Sequence, residues 1–247
     1  MKRNPTTTLA TLLALALATS CGADSTGGGS GRTTSVSGSA FNFGPAGGAV
    51  AGGDVTILEQ PERATITDES GGFGFDGLAV GSEASFVLRA AGRPEIQTAT
   101  FTLGDEPVDG ITFQSPDDTM ITLLSVLVGA APRADRCQLA ATVTRANPEL
   151  VAGKTHGEAG ATVTIDPLPA EADGPIYFNL VTWNVIWPDR RLAATTDDGG
   201  VLYVNVAPGR YRLTAHKDGV RFREVALTCR AGVVVNAAPP WGLQAEP

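Results

Sequence analysis

The side chains able to do chemistry in this chain are few and far apart. Its two histidines, His156 and His216, stand 60 residues apart, and nucleophilic or acid-base catalysis needs a base held against its nucleophile. His156 lies in a polar, glycine-bounded loop, and His216 precedes Lys217-Asp218-Gly219, a hairpin-turn signal. Neither accompanies a Gly-x-Ser-x-Gly nucleophile elbow, so both read as loop residues. Asp68-Glu69-Ser70-Gly71 and Asp197-Asp198-Gly199 offer oxygens to calcium but lack a twelve-residue loop closed by Glu. Aspartate and glycine are also what tight turns require. No catalytic residue, metal set or cofactor is expected.

An aromatic row is the remaining candidate for recognition. Read at period two, Tyr177, Asn179, Val181, Trp183, Val185 and Trp187 share one face of a strand. Tyr177, Trp183 and Trp187 form a candidate ligand face for sugar rings or a partner protein. The opposite face, with Ile176, Phe178, Leu180 and Ile186, is apolar too. That favours burial on both sides, against a helix or another domain.

The N-terminus specifies a compartment. Lys2 and Arg3, a Leu/Ala run over residues 9–18 and Ala18-Thr19-Ser20 before Cys21 describe an export signal over residues 1–20. The pattern resembles a bacterial lipoprotein lipobox, with Ala18 where that family usually has Leu. The resemblance implies that Cys21 is lipidated and anchors the chain to a cell-envelope membrane. In a Gram-negative cell, Gly22 rather than Asp after the cysteine favours the outer membrane. With Cys21 so used, Cys137 and Cys229 remain as an even pair in an oxidising compartment, and a disulfide is expected between them. The alternative is two buried free thiols. Removing Lys2 and Arg3 takes the net charge from -8 to -10, which argues against nucleic acid as a partner and leaves membrane contact to acyl chains.

Residues 21–37 are rich in Gly, Ser and Thr and read as a flexible tether. From there, short β-prone runs separated by turns fill residues 38–115 and again 136–247. The two halves repeat. Asp54-Val55-Thr56-Ile57 corresponds to Thr162-Val163-Thr164-Ile165, and the turn at Thr67 to Gly72 to that at Thr196 to Gly200, one residue shorter. Between the copies, residues 116–135 form a connector. Ile121, Leu124, Leu127 and Val128 recur at helical spacing there, with Asp117 at the start and Gly129 and Pro132 at the end. Its β-branched residues leave an additional strand as the alternative.

Ala161-Thr162-Val163-Thr164-Ile165 and Thr195 to Ala215, with Pro208-Gly209-Arg210-Tyr211 inside it, resemble the carboxypeptidase regulatory-like domain. The likeness is clear over residues 137–243 and weaker over 38–115. It implies a transthyretin-like (prealbumin-like) antiparallel β-sandwich without catalytic activity. The fold expected is mainly β: two such sandwiches joined by a short helix. Intradiol dioxygenases share the sandwich, but their two iron-binding histidines lie one residue apart on one strand. Adhesin modules related to the family carry a Lys-to-Asn staple. Here the mature chain has only Lys154 and Lys217, and the disulfide takes the stapling role. The function expected is a non-catalytic surface or periplasmic structural or adhesion module contacting protein or polysaccharide. A carbohydrate-binding accessory module is the alternative, and a metal-dependent enzyme comes third.

Overall fold

Phe73 and Phe75 fall on one face of a strand, as a spacing of two requires, and both are buried. Around them Phe86, Phe101 and Phe113 complete an aromatic core. Ring centroids lie 5.4 Å apart for Phe73 and Phe113 and 5.7 Å for Phe75 and Phe86. A computed structural model describes residues 31–44, 47–146, 148, 156–182, 185–238, 240 and 242–247. The leader, Cys21, the tether up to residue 30, Lys154 and Trp183 lie outside the described residues.

The chain is mainly β. The N-terminal copy runs β1 (Thr33–Asn42), β2 (Asp54–Ile57), β3 (Gln60–Ile66), β4 (Gly72–Ala79), β5 (Glu83–Arg89), β6 (Ile96–Thr102) and β7 (Val108–Ser115), followed by helix α1 (Asp118–Val128). The C-terminal copy runs β8 (Cys137–Thr144), β9 (Thr162–Asp166), β10 (Asp173–Thr182), β11 (Val185–Asp189), β12 (Gly200–Val206), β13 (Gly209–His216), β14 (Val225–Cys229), β15 (Val234–Ala237) and β16 (Leu243–Gln244). Strand β1 starts at Thr33, so Thr33 to Ser37 belong to the fold and not to the tether. The cause is tertiary: Val36 enters the core, and Thr34 Oγ1 donates to the Glu106 carbonyl at 3.0 Å.

Strand pairing repeats between the copies. Order β4-β1-β7 in the first matches β12-β8-β15 in the second, with β1 parallel to β7 and β8 parallel to β15. The facing layer β2-β5-β6 matches β9-β13-β14. The copies differ after the second strand. In the first, β3 folds back onto β2, whereas in the second, β10 crosses to the other layer and pairs with β12 and β11.

The turn alignment made from sequence needs correction, because Thr67 matches Thr195 and no residue is missing. Thr67 Oγ1 accepts from Gly53 N at 2.8 Å and donates to the Val50 carbonyl at 2.7 Å. Thr195 Oγ1 accepts from Ala161 N at 2.9 Å and donates to the Glu158 carbonyl at 2.6 Å. The next matched pair is Gly71 and Gly199, with φ of 81° and 79°. A Cβ there would lie 2.2 Å from the carbonyl oxygens of Ala40 and Val143 respectively, so both positions require glycine. Aspartate misled the alignment because the turn carboxylate shifts position. Gly72 N donates to Asp68, and Gly200 N donates to Asp198. Thr67→Val strands a buried amide and a buried carbonyl, Thr195→Val a buried amide and a half-buried carbonyl, and each is expected to cost about 1–3 kcal/mol in urea unfolding. An unchanged midpoint would refute this role.

The connector is a helix, capped at both ends. Asp117 accepts from Met120 N at 2.7 Å, and Gly129 closes the C-terminus with φ 71°. The copies are joined by more than this helix. Strand β6 pairs parallel with β15 over Ile96–Thr98 and antiparallel with β14 at Thr100. One sheet therefore crosses from copy to copy, and Gly31–Pro247 forms one compact unit.

Candidate functional site

Strand β10 is the element on which the aromatic row stands, and both of its faces are covered at Ile176, Tyr177 and Phe178. Tyr177 points into the C-terminal core and is 2% exposed. It is thereby removed from the candidate ligand face. On the opposite face Ile176 packs with Val128 of α1 and Val204. Phe178 meets Phe43 of the N-terminal copy edge-on, with centroids 6.4 Å apart. Trp187, opposite Asn179 on β11, is partly exposed. Trp183 falls outside the described residues, and among the described ones Trp187 is what remains of that face.

Tyr177 is buried because β10 abandons β9. In the N-terminal copy Val55 of β2 pairs with Thr65 of β3. Among the described residues its counterpart Val163 has no strand on that side and is met by two phenols instead. Val163 N donates to Tyr177 Oη at 3.0 Å, and Tyr203 Oη donates to the Val163 carbonyl at 2.9 Å. Tyr203 stands where the first copy has Phe75, so the extra hydroxyl appears in the copy whose edge needs it. Burial pushes both phenols above their ordinary pKa, and Tyr203 is raised further by neighbouring Tyr177. Tyr203→Phe leaves the Val163 carbonyl unpaired and is expected to cost about 1–2 kcal/mol, whereas Phe75→Tyr is expected to give no matching gain. Thermal unfolding of the two variants checks this pair.

Tyr211 and His216 are each engaged within their own surroundings. Tyr211 Oη donates to the Ala207 carbonyl at 2.9 Å, and His216 Nε2 lies 2.9 Å from Thr164 Oγ1 on an exposed surface. Among the described residues no three of His, Cys, Asp and Glu stand close enough to hold a metal. The Asp-rich turns spend their carboxylates locally. Asp68 Oδ1 accepts from Ser70 Oγ at 2.7 Å and from Gly72 N at 2.8 Å, which holds its pKa down. Burial raises that of Asp198.

Arginine ties the helix to the hairpin. Arg190 Nε donates to the Val128 carbonyl at 2.8 Å, at the helix end whose dipole is negative. Its other nitrogens grip Asp173, whose pKa this lowers. The Arg191 guanidinium lowers Asp189 to about 2. Both carboxylates bind protons more weakly folded than unfolded. Their stabilisation is therefore complete above about pH 4 and lost as pH falls through their folded values. Unfolding midpoints are expected to drop across that window, less so in Asp173→Asn.

A second polar cluster joins the copies. Glu95 accepts from Arg89 Nε at 2.7 Å and from Arg230 across the junction. Arg230 Nε donates to Gln97 Oε1 at 2.7 Å, and Gln97 Nε2 donates to the Thr228 carbonyl at 2.8 Å. Gln97 is wholly buried. Sequence reasoning missed this cluster. A glutamine inside the β-prone run Ile96-Gln97-Thr98-Ala99-Thr100-Phe101 was its one signal. The expected disulfide is present between Cys137 and Cys229, whose Cα atoms are 5.8 Å apart.

No protein-family model matches the chain, and no curated protein matches it. Solved structures similar to it include the shaft pilin SpaA of Lactobacillus rhamnosus GG, 11% identical, covering 84% of this chain and 98% of that one, with a TM-score of 0.24. The minor pilin of Streptococcus agalactiae is also 11% identical, covers 87% and 97%, and has a TM-score of 0.26. The chain spans 35% of the Bacillus anthracis TIE protein, at 12% identity and a TM-score of 0.26, with 87% of this chain covered. At such scores the likenesses carry no argument, and the fold rests on its own strand pairing. Among the described residues no helix is long and apolar enough to cross a membrane.

Proposed function

We propose that this chain is a non-catalytic, exported structural or adhesion module of the cell envelope, anchored through lipid on Cys21 and built from two carboxypeptidase regulatory-like sandwiches. The observation that supports this most is how the reactive side chains are used. Tyr177, Tyr203 and Tyr211 bond backbone, and the junction cluster of Glu95, Gln97 and Arg230 binds one copy to the other. The partners are the membrane and a surface protein or polysaccharide, with no nucleic acid among them. Metabolic labelling with palmitate tests the anchor: label on the parent that Cys21→Ala loses, together with its membrane association, is expected. An unlabelled parent, or a variant still membrane-bound, overturns it.

A second reading, a carbohydrate-binding module centred on Trp183 and Trp187, draws on the partial exposure of Trp187. It requires saturable binding to a polysaccharide panel that Trp187→Ala abolishes at matched folding. The structural reading expects Trp187→Ala to leave any binding unchanged.

A further inference from the structure

Where the chain enters and leaves each copy, it does so on parallel neighbours. In the first copy β1 lies beside β7 from Val36 opposite Val108 to Asn42 opposite Ser115. In the second, β8 lies beside β15 over Gln138–Ala141 and beside β16 at Val143 and Thr144. Antiparallel pairs outnumber parallel ones two- to three-fold overall, yet these first-and-last pairs are parallel in both copies. Parallel strands put the entry end of one and the exit end of the other at opposite ends of the ladder. Tension along the chain then slides one strand past the other and loads all their hydrogen bonds together. An antiparallel pair would present both ends on one side and open bond by bond.

The disulfide adds a second route for force. Cys137 is the first residue of β8 and Cys229 the last of β14. Tension arriving at Cys137 crosses the sulfur bridge to Cys229 and bypasses everything between them. Only residues 230–247 of the second copy remain outside that closed loop. The first copy grips this stretch: β6 pairs with β15, and Glu95 and Gln97 hold Arg230.

We infer that Gly31–Pro247 transmits tension between its two ends, with each copy loaded in shear and the interior of the second copy shielded by the Cys137–Cys229 bond. This function rests on the reading of the chain as an anchored surface module.

Single-molecule pulling of the whole oxidised chain tests it, first with handles at both termini and then with one at the N-terminus and one at Glu106. Glu106 sits beside Thr34 at the entry end of β1, so the second arrangement peels β1 from β7. The end-to-end pull is expected to need several-fold more force. Reduction under load is then expected to release up to about 330 Å of further extension, from a separation of 92 residues at ~3.6 Å each. Equal forces in the two arrangements overturn the shear geometry, and full extension of the oxidised chain overturns the shielding. The reading as a surface module is tested separately by the Cys21 labelling, so the two failures are distinguishable.

Discussion

The double variant Cys137→Ala/Cys229→Ala is expected to lose up to about 4–5 kcal/mol of unfolding free energy, from closure of a loop with a sequence separation of 92. The bond joins the two layers of the C-terminal sandwich, since β8 belongs to one and β14 to the other. Both cysteines are buried, so reductant acts only after the fold opens. In the chain-entropy model the bond acts by restricting the unfolded chain. The denaturant m-value should therefore rise when the bond is removed, because the freed chain exposes more surface. Urea titrations of oxidised parent and variant check both numbers. A midpoint shift with an unchanged m-value would place the effect in the folded state instead.

Phe86→Ala carries the next largest effect, about 3–5 kcal/mol for loss of a wholly buried ring. Its ring centroid lies 5.7 Å from that of Phe75, 6.1 Å from Phe101 and 6.3 Å from Phe73. The side chain thus connects β4 to both β5 and β6, and β6 carries the sheet into the second copy. All three tryptophans, Trp183, Trp187 and Trp241, belong to that second copy. Tryptophan fluorescence consequently reports the C-terminal sandwich, while the cavity sits in the N-terminal one. With a shared sheet and the Glu95, Gln97 and Arg230 cluster across the junction, the tryptophan-monitored midpoint is expected to fall along with circular dichroism. A fluorescence midpoint left at the parent value would mean that the copies unfold independently.

The copy arrangement shows how far local pattern reaches. Period-two runs such as Gly72-Phe73-Gly74-Phe75 announced strands, and Asp117 with Gly129 bracketed a helix whose caps are local hydrogen bonds. The match of Val55 to Val163 was visible as well, because strand residues with one buried face repeat in type. The turn register went astray because Asp68 and Asp198 perform one task from different positions, and only the hydrogen bonds of Thr67 and Thr195 identify the matched residues.

What the amino-acid sequence by itself determined is the β character of the chain and the repeat; it favoured a helix between the copies and a bond between the two cysteines that follow Cys21, and the fold decided both against the alternatives of a strand and of free thiols. These follow from side-chain periodicity, backbone capping and cysteine count, which act over a few residues or on composition alone. Burial of Tyr177 was favoured by the two apolar faces of its strand; tertiary structure alone decided that Tyr177 and Tyr203 meet the edge β10 left open, that β1 begins at Thr33 and that β6 carries the sheet across the junction. Each of these depends on which strand edge lies next to which. Hydrogen-bonding edges look alike in any β-prone segment, and their partners are chosen only when the layers pack.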